Sequence, residues 1–239
     1  MMSRWVWIFI FGLSANAFSA TGTDIPWLWD RTWPSRFQSA ELAVLVHNIE
    51  LRGSSLRERP RLQVPVLALS TRVTPVVHVE FNLLETPVQP AAFNDAIRDA
   101  VVSAAQMSTS GWVQLDYEAR PRGREAYLQL VRDIRRALPA KMRLSVTALA
   151  WWCQGGAWLD TLAADEVVPM MFRMGPDAQR LRTLVREQPG KLHPRCRGPA
   201  VGLARQEPQL NDISQRYARR YWFDYKGWKD TDLWPMELP

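Results

Sequence analysis

Apolar and polar positions along this chain change period repeatedly, and each change marks a new element. Short runs rich in β-branched and apolar residues predict strands at 26–30 (PWLWD), 42–51 (LAVLVHNIEL), 75–82 (PVVHVEFN), 111–119 (GWVQLDYEA), 143–151 (RLSVTALAW), 166–172 (EVVPMMF), 200–205 (AVGLAR) and 219–225 (RRYWFDY). Several are apolar on both faces, the pattern of strands that lie between a core and a layer of helices. Between them the period turns helical. Phe93, Ala96, Ile97, Ala100, Val101, Ala104 and Met107 form one stripe, and Tyr127, Leu130, Val131, Ile134 and Leu138 form a second. Pro90 and Pro121 stand near the starts of these helices and Pro139 follows the second, as proline's missing N–H requires. Shorter helices are expected at 156–164, 177–188 and 208–217.

From residue 74 onward the order is strictly βαβα, whereas Gly53, Ser54 and Ser55 followed by LQVPVLAL predict a β-hairpin excursion in place of an early helix. Eight strands with helical crossovers define an α/β fold. The expectation is a (β/α)8 TIM-type barrel with degenerate early units and a hairpin insertion near 52–70; an open doubly wound sheet is the alternative. No Gly-rich phosphate loop follows any strand, so no nucleotide cofactor is implied.

Composition narrows the function classes. With 239 residues, 47% hydrophobic and 23% charged, the chain excludes a disordered tail, a collagenous repeat and a disulfide-dense miniprotein. One uninterrupted apolar run, Trp5 to Leu13, falls short of the roughly 20 residues that cross a bilayer. It follows Arg4 and precedes Ala15-Asn16-Ala17, the order of a secretory signal. The expectation is therefore a signal peptide at 1–17, a single domain at 18–239, export to the periplasm, and no stable membrane span after cleavage. An uncleaved anchor is the alternative. The net charge of +6 is spread over predicted helix surfaces, through Arg132, Arg135, Arg136, Arg182 and Arg186 with acids among them. That dispersal does not form a phosphate-tracking stripe and argues against nucleic acid.

Cys153 and Cys196 fit no metal spacing. An oxidising compartment favours a bond between them, but one follows a strand and the other precedes one, which puts them at opposite barrel ends, so the pairing stays open. His47, His78 and His193 lie far apart, and no Ser stands in a nucleophile-elbow context. His78 reads as a hydrogen-bonded core or rim histidine and receives no role.

In a barrel, chemistry gathers where strands end at their C-termini. The fourth strand ends in Asp116-Tyr117-Glu118, and alternation sends both acids to one side. Two close carboxylates push each other's pKa values apart, leaving one protonated as a general acid and the other ionised, the division of labour in glycoside hydrolysis. Ion pairing with Arg120 and Arg173 is the competing, purely structural explanation. Other strand ends carry Trp29 with Asp30, Glu80, Trp151 with Trp152, Phe172 with Arg173, Glu207, and Trp222 with Asp224. Sugar rings need flat aromatic platforms beside polar groups, and these ends supply both. The candidate assignments are Glu118 as proton donor, Asp116 as electrostatic partner, Trp151, Trp152 and Trp222 as ring platforms, and Arg173 as an orienting cation. Trp29, Glu80, Glu207 and Asp224 are the remaining candidate ligand contacts. Asp116, Glu118, Glu80, Glu207 and Asp224 are expected to converge on one mouth.

The blocks WVQLDYEAR, RLSVTALAWWC and DEVVPMMFRMGPD resemble the core motifs of domain of unknown function 3142, a family of exported bacterial proteins. The resemblance runs from PWLWD to YWFDYKGW and implies an exported protein with a glycoside-hydrolase-like barrel, without supplying a reaction. More distantly, the chain is similar to chitinase-type family 18 glycoside hydrolases, whose fourth strand ends Asp-x-Asp-x-Glu with the Glu as general acid. Asp116 and Glu118 match the last two positions, Gln114 stands at the first, and Gly111 falls one residue too early for the preceding glycine. That likeness implies cell-envelope or N-acetylated glycans as substrates, with the acetamido group itself as nucleophile. The competing reading is a non-catalytic periplasmic barrel that binds glycan or protein.

Overall fold

A computed structural model describes residues 22–29, 40–61, 70–82, 84, 90–119 and 123–228. The proposed signal peptide, Asp30, Arg120 and the LQVPVLAL run lie outside these residues. In chain order the elements are β1 (Thr23–Leu28), β2 (Glu41–Arg52), β3 (Ser55–Pro60), β4 (Arg72–Phe81), α1 (Asn94–Ala105), β5 (Trp112–Tyr117), α2 (Arg124–Ala137), β6 (Arg143–Leu149), β7 (Glu166–Met170), α3 (Ala178–Glu187), β8 (Ala200–Ala204) and β9 (Arg219–Phe223). The sheet runs β1-β9-β8-β7-β6-β5-β4-β2, and a further parallel pairing of β1 with β2 closes it. The result is a closed barrel of eight parallel strands with helices between them, so the open-sheet alternative is set aside. β3 stands outside the closure, antiparallel to β2 from His47 to Arg52, and forms the hairpin excursion expected near 52–70.

The two long helices form where the stripes predicted them. α1 buries Ile97, Ala100, Val101 and Ala104, and α2 buries Tyr127, Leu130, Val131 and Ile134 against the strands. Leu138 ends α2 in an extended conformation (ψ 143°) because the ring of Pro139 disfavours a helical predecessor. Later crossovers are tighter than expected. The segments expected as helices at 156–164 and 208–217 are 3-10 turns at Ala157–Thr161 and Pro208–Arg216, and another 3-10 turn, Ala150–Gln154, follows β6 directly. Gly156 enters the second of these turns at φ 115°, a conformation open to glycine that interrupts any continuous helix there.

Burial has two compartments. The outer core lies between strands and helices, and the inner core fills the barrel with Ile25, Trp27, Ala43, Val76, Val168, Met170, Ala200 and Tyr221. Small residues make room for the Trp27 ring: a Cβ on Gly202 would lie 3.0 Å from it. Lower in the barrel the filling is polar. Arg219 donates to Glu41 (2.9 Å) and to the Tyr221 hydroxyl (2.8 Å), and its Nε lies 3.0 Å from Glu166. Thr74 donates to Glu41, and Ser145 and Tyr221 donate to Glu166. Such a buried network is tolerated because each acid meets the cation and hydroxyl donors together.

Cys153 and Cys196 are bonded, with Cα atoms 5.7 Å apart. The expectation that they lie at opposite ends of the barrel is corrected. The 3-10 turns carrying them, Ala150–Gln154 and Pro194–Arg197, both fold back against β7 in the outer layer, where His193 N–H donates to the Cys153 carbonyl at 2.8 Å.

Candidate active site

A cleft of about 710 Å³ opens at the C-terminal ends of the strands. Its walls combine Trp27, Trp29, Trp151, Phe172 and Phe223 with His78, Glu80, Asp116, Glu118 and Arg173. β5 supplies the centre. Gln114 and Asp116 share one face of the strand, and both are buried. Gln114 belongs to the barrel filling: it accepts from the Trp27 indole at 2.7 Å and donates to Ser145 at 3.1 Å. Asp116 comes one pleat later, at the cleft floor.

His78 on β4 is the register neighbour of Asp116, and its Nδ1 lies 2.7 Å from Oδ2. Because an ionised carboxylate only accepts, Nδ1 carries the hydrogen. Thr147 on β6 donates to the other oxygen at 2.5 Å. Burial works against the imidazolium, but the Asp116 charge and hydrogen bond, helped by Glu80 and Glu118, outweigh it and raise the His78 pKa above its ordinary value. Glu80 stands 4.0 Å from the other ring nitrogen, and the Trp29 ring packs edge-on to the imidazole at 4.5 Å.

Glu118 is exposed within the cleft and has no ion-pair partner among the described residues. Its exposure does not free it from the surrounding protein. Desolvation raises its pKa, the Asp116 charge adds to the rise, and His78 and Arg173 offset only part of it. The two carboxylates thus differ in surroundings: Asp116 holds two donors and Glu118 holds none of them.

Arg173 follows β7 in a left-handed conformation (φ 49°), uncommon for a residue with a Cβ. Its N–H donates to Glu207 at 3.0 Å and its guanidinium covers the Tyr225 ring at 4.2 Å, while Tyr225 donates its hydroxyl to the same Glu207. Glu207, further held by Arg182 at 3.2 Å, braces Arg173 and is absent from the cleft wall. Asp224 is also at this end of the barrel but is taken up by Arg205 (2.8 Å), Gln206 (2.7 Å) and the Lys226 N–H (2.8 Å). Of the five acids expected at one mouth, three reach the cleft and two serve its rim.

The aromatic candidates divide. Trp29 lines the cleft, and Trp151, 38% exposed, does so from the turn after β6. Trp152 and Trp222 are corrected: both are buried in the outer core. Trp152 packs edge-on to Trp158 at 5.0 Å, and Trp222 donates its indole N–H to Asp24 at 2.7 Å. A one-residue parity error explains Trp222, because the neighbouring Phe223 is the side chain that faces the cleft, stacked on Phe172 at 5.6 Å. His78, given no role from the sequence, lines the cleft beside Asp116. The available signal was its alternation with Glu80 on one face of β4.

No protein-family model and no curated protein sequence matches the chain, so the resemblance to domain of unknown function 3142 gains no support there. Among solved structures it is similar to a GH18 chitinase from Pseudoalteromonas aurantia, with a TM-score of 0.53, 12% identity, and coverage of 85% of this chain and 94% of that one. The spore cortex-lytic enzyme SleL of Bacillus cereus gives a TM-score of 0.48 and 15% identity over 77% of this chain; the match spans half of SleL. The likeness to the chitinase is one of fold: both share the closed parallel barrel. No helix among the described residues is long and apolar enough to cross a membrane.

Proposed function

We propose that this chain is an exported glycoside hydrolase-like enzyme acting on cell-envelope or N-acetylated glycans. The observation that carries this reading is the unequal pair at the end of β5: Asp116 is clamped by His78 and Thr147, while Glu118, with no ion-pair partner among the described residues, has a raised pKa in an aromatic-walled cleft. Glu118 delivers its proton to the glycosidic oxygen as the bond to the anomeric carbon breaks. Asp116 remains ionised and stabilises the positive charge that develops on the sugar side. Glu118, now a carboxylate, then takes a proton from the water that attacks the sugar. Trp29, Trp151, Phe172 and Phe223 present ring faces to the sugars, and Arg173 orients a hydroxyl or acyl oxygen. The Cys153–Cys196 bond supports export to an oxidising compartment.

One observation favours the second reading, a glycan-binding barrel without turnover: Gln114 is neutral and committed to Trp27 and Ser145. Incubation with chitooligosaccharides and with peptidoglycan fragments separates the two. Cleavage by the wild type, reduced about 100- to 10,000-fold in Glu118→Gln with binding retained, is the outcome for an enzyme. Binding without cleavage is the outcome for the second reading.

A further inference from the structure

His78 lines the cleft, and the scheme above leaves it without a task. It stands between three acids from two strands: Asp116 at 2.7 Å on Nδ1, Glu80 at 4.0 Å on Nε2, and Glu118 beyond Asp116. On its other flank, β2 puts Asn48 in register with His78 and Glu50 in register with Glu80. Glu50 is already matched by Arg52 (2.9 Å), Arg59 (3.4 Å) and Asn82 (2.7 Å). The Trp29 ring closes the side toward β1, and Arg173 is the cation on the far side of Glu118. Without a charge on His78, the buried Asp116 carboxylate would be held by neutral donors alone, since Thr147 brings no charge.

Resting on the hydrolase reading, we propose that His78 is a positioning residue of this site: its imidazolium holds Asp116 ionised and in place beside Glu118, so that the proton of the pair stays on Glu118. The ring acts through Asp116 and does not itself exchange a proton with substrate. A neutral amide of the same reach would keep the hydrogen bond and lose the charge, so His78→Asn separates the two contributions. Charge balance also sets the sign at Glu118. Removing the His78 cation leaves Arg173 alone to offset Asp116 at that carboxyl, which raises its pKa further, whereas Asp116→Asn lowers it.

Two titrations of the full chain by NMR test the device without any substrate. In the first, the His78 ring is followed in the wild type and in Asp116→Asn. A midpoint lower by about one pH unit or more in the variant, with the Nδ1–H form in the neutral wild-type ring, is expected for an opposite charge at this range. An unchanged midpoint overturns the proposal. In the second, the carboxyl carbon of Glu118, assigned through Glu118→Gln, should titrate higher in His78→Asn than in the wild type; a lower or equal midpoint overturns it. If His78→Asn does not fold, the first titration still decides, because it needs no His78 variant. Turnover of chitooligosaccharides supplies a third measure: His78→Asn should lose on the order of 100-fold in kcat with KM changed by less than about threefold, as for a misplaced catalytic group. Equal kcat across the pH range overturns the proposal. A wild type that cleaves none of these glycans overturns the hydrolase reading instead, and the titrations still decide whether His78 holds the charge of Asp116.

Discussion

Reducing the Cys153–Cys196 bond should destabilise the barrel substantially. The bond ties residues 43 positions apart, and both cysteines are fully buried in the outer core. Chain-entropy loss for a loop of that length amounts to about 4 kcal/mol at 25 °C. For a domain of this size that corresponds to a fall in Tm of about 8–16 °C. The effect should be measured by urea and thermal unfolding of the wild type with and without reductant, and of Cys153→Ala/Cys196→Ala under both conditions. The double variant should match the reduced wild type, apart from a small packing loss, and should ignore the reductant. Because the turn that carries Cys153 also carries Trp151 to the cleft wall, reduction should also weaken glycan binding at temperatures well below Tm. Reduced and oxidised wild type melting within about 2 °C of each other would refute the reasoning.

Trp151 and Trp152 are neighbours with opposite expected phenotypes. Trp152→Ala empties a buried core site and should cost about 3–5 kcal/mol in urea melts, while Trp151→Ala should leave stability within about 1 kcal/mol and weaken glycan binding, as read by intrinsic fluorescence titration. The pH dependence of stability should carry the signature of His78. Its pKa is raised on folding, so its contribution is fully present below the unfolded value of 6.5 and disappears as pH rises through the folded value. Melting curves of the wild type and His78→Asn should therefore differ most in mildly acidic buffer and converge above the folded value; a gap that widens with rising pH would contradict the sign. Glu118, also raised, acts in the same direction from its unfolded value of 4.5 upward, because the unfolded chain ionises there before the folded one does. Glu118→Gln should accordingly flatten the loss of stability between mildly acidic and neutral pH, as measured by Tm at fixed ionic strength.

Much of the barrel was legible in the order of the residues. Strands buried on both faces, helical stripes such as Ile97-Val101-Ala104, and prolines at helix boundaries are local signals, set by steric limits on the backbone and by the period at which apolar side chains must recur. The pair Asp116 and Glu118 was legible for the same reason, because alternation and strand ends are local properties. Tertiary structure alone decided the rest. Trp222 and Phe223 carry equally aromatic labels, and only the closed sheet's register determines which of them faces the cleft. Trp151 and Trp152 sit on a 3-10 turn whose direction depends on the bonded layer over β7, so no strand periodicity reaches them. The same layer joined two cysteines that chain order placed at opposite ends. His78 meets Asp116 across 38 residues through strand pairing. Glu207 and Asp224 turned inward to rim arginines because long-range ion pairs compete for any carboxylate that a strand end exposes. Local sterics and periodicity therefore determined the elements and their order, whereas partners distant in sequence, which no single strand or helix encodes, determined which side chains form the cleft and what charge each one holds.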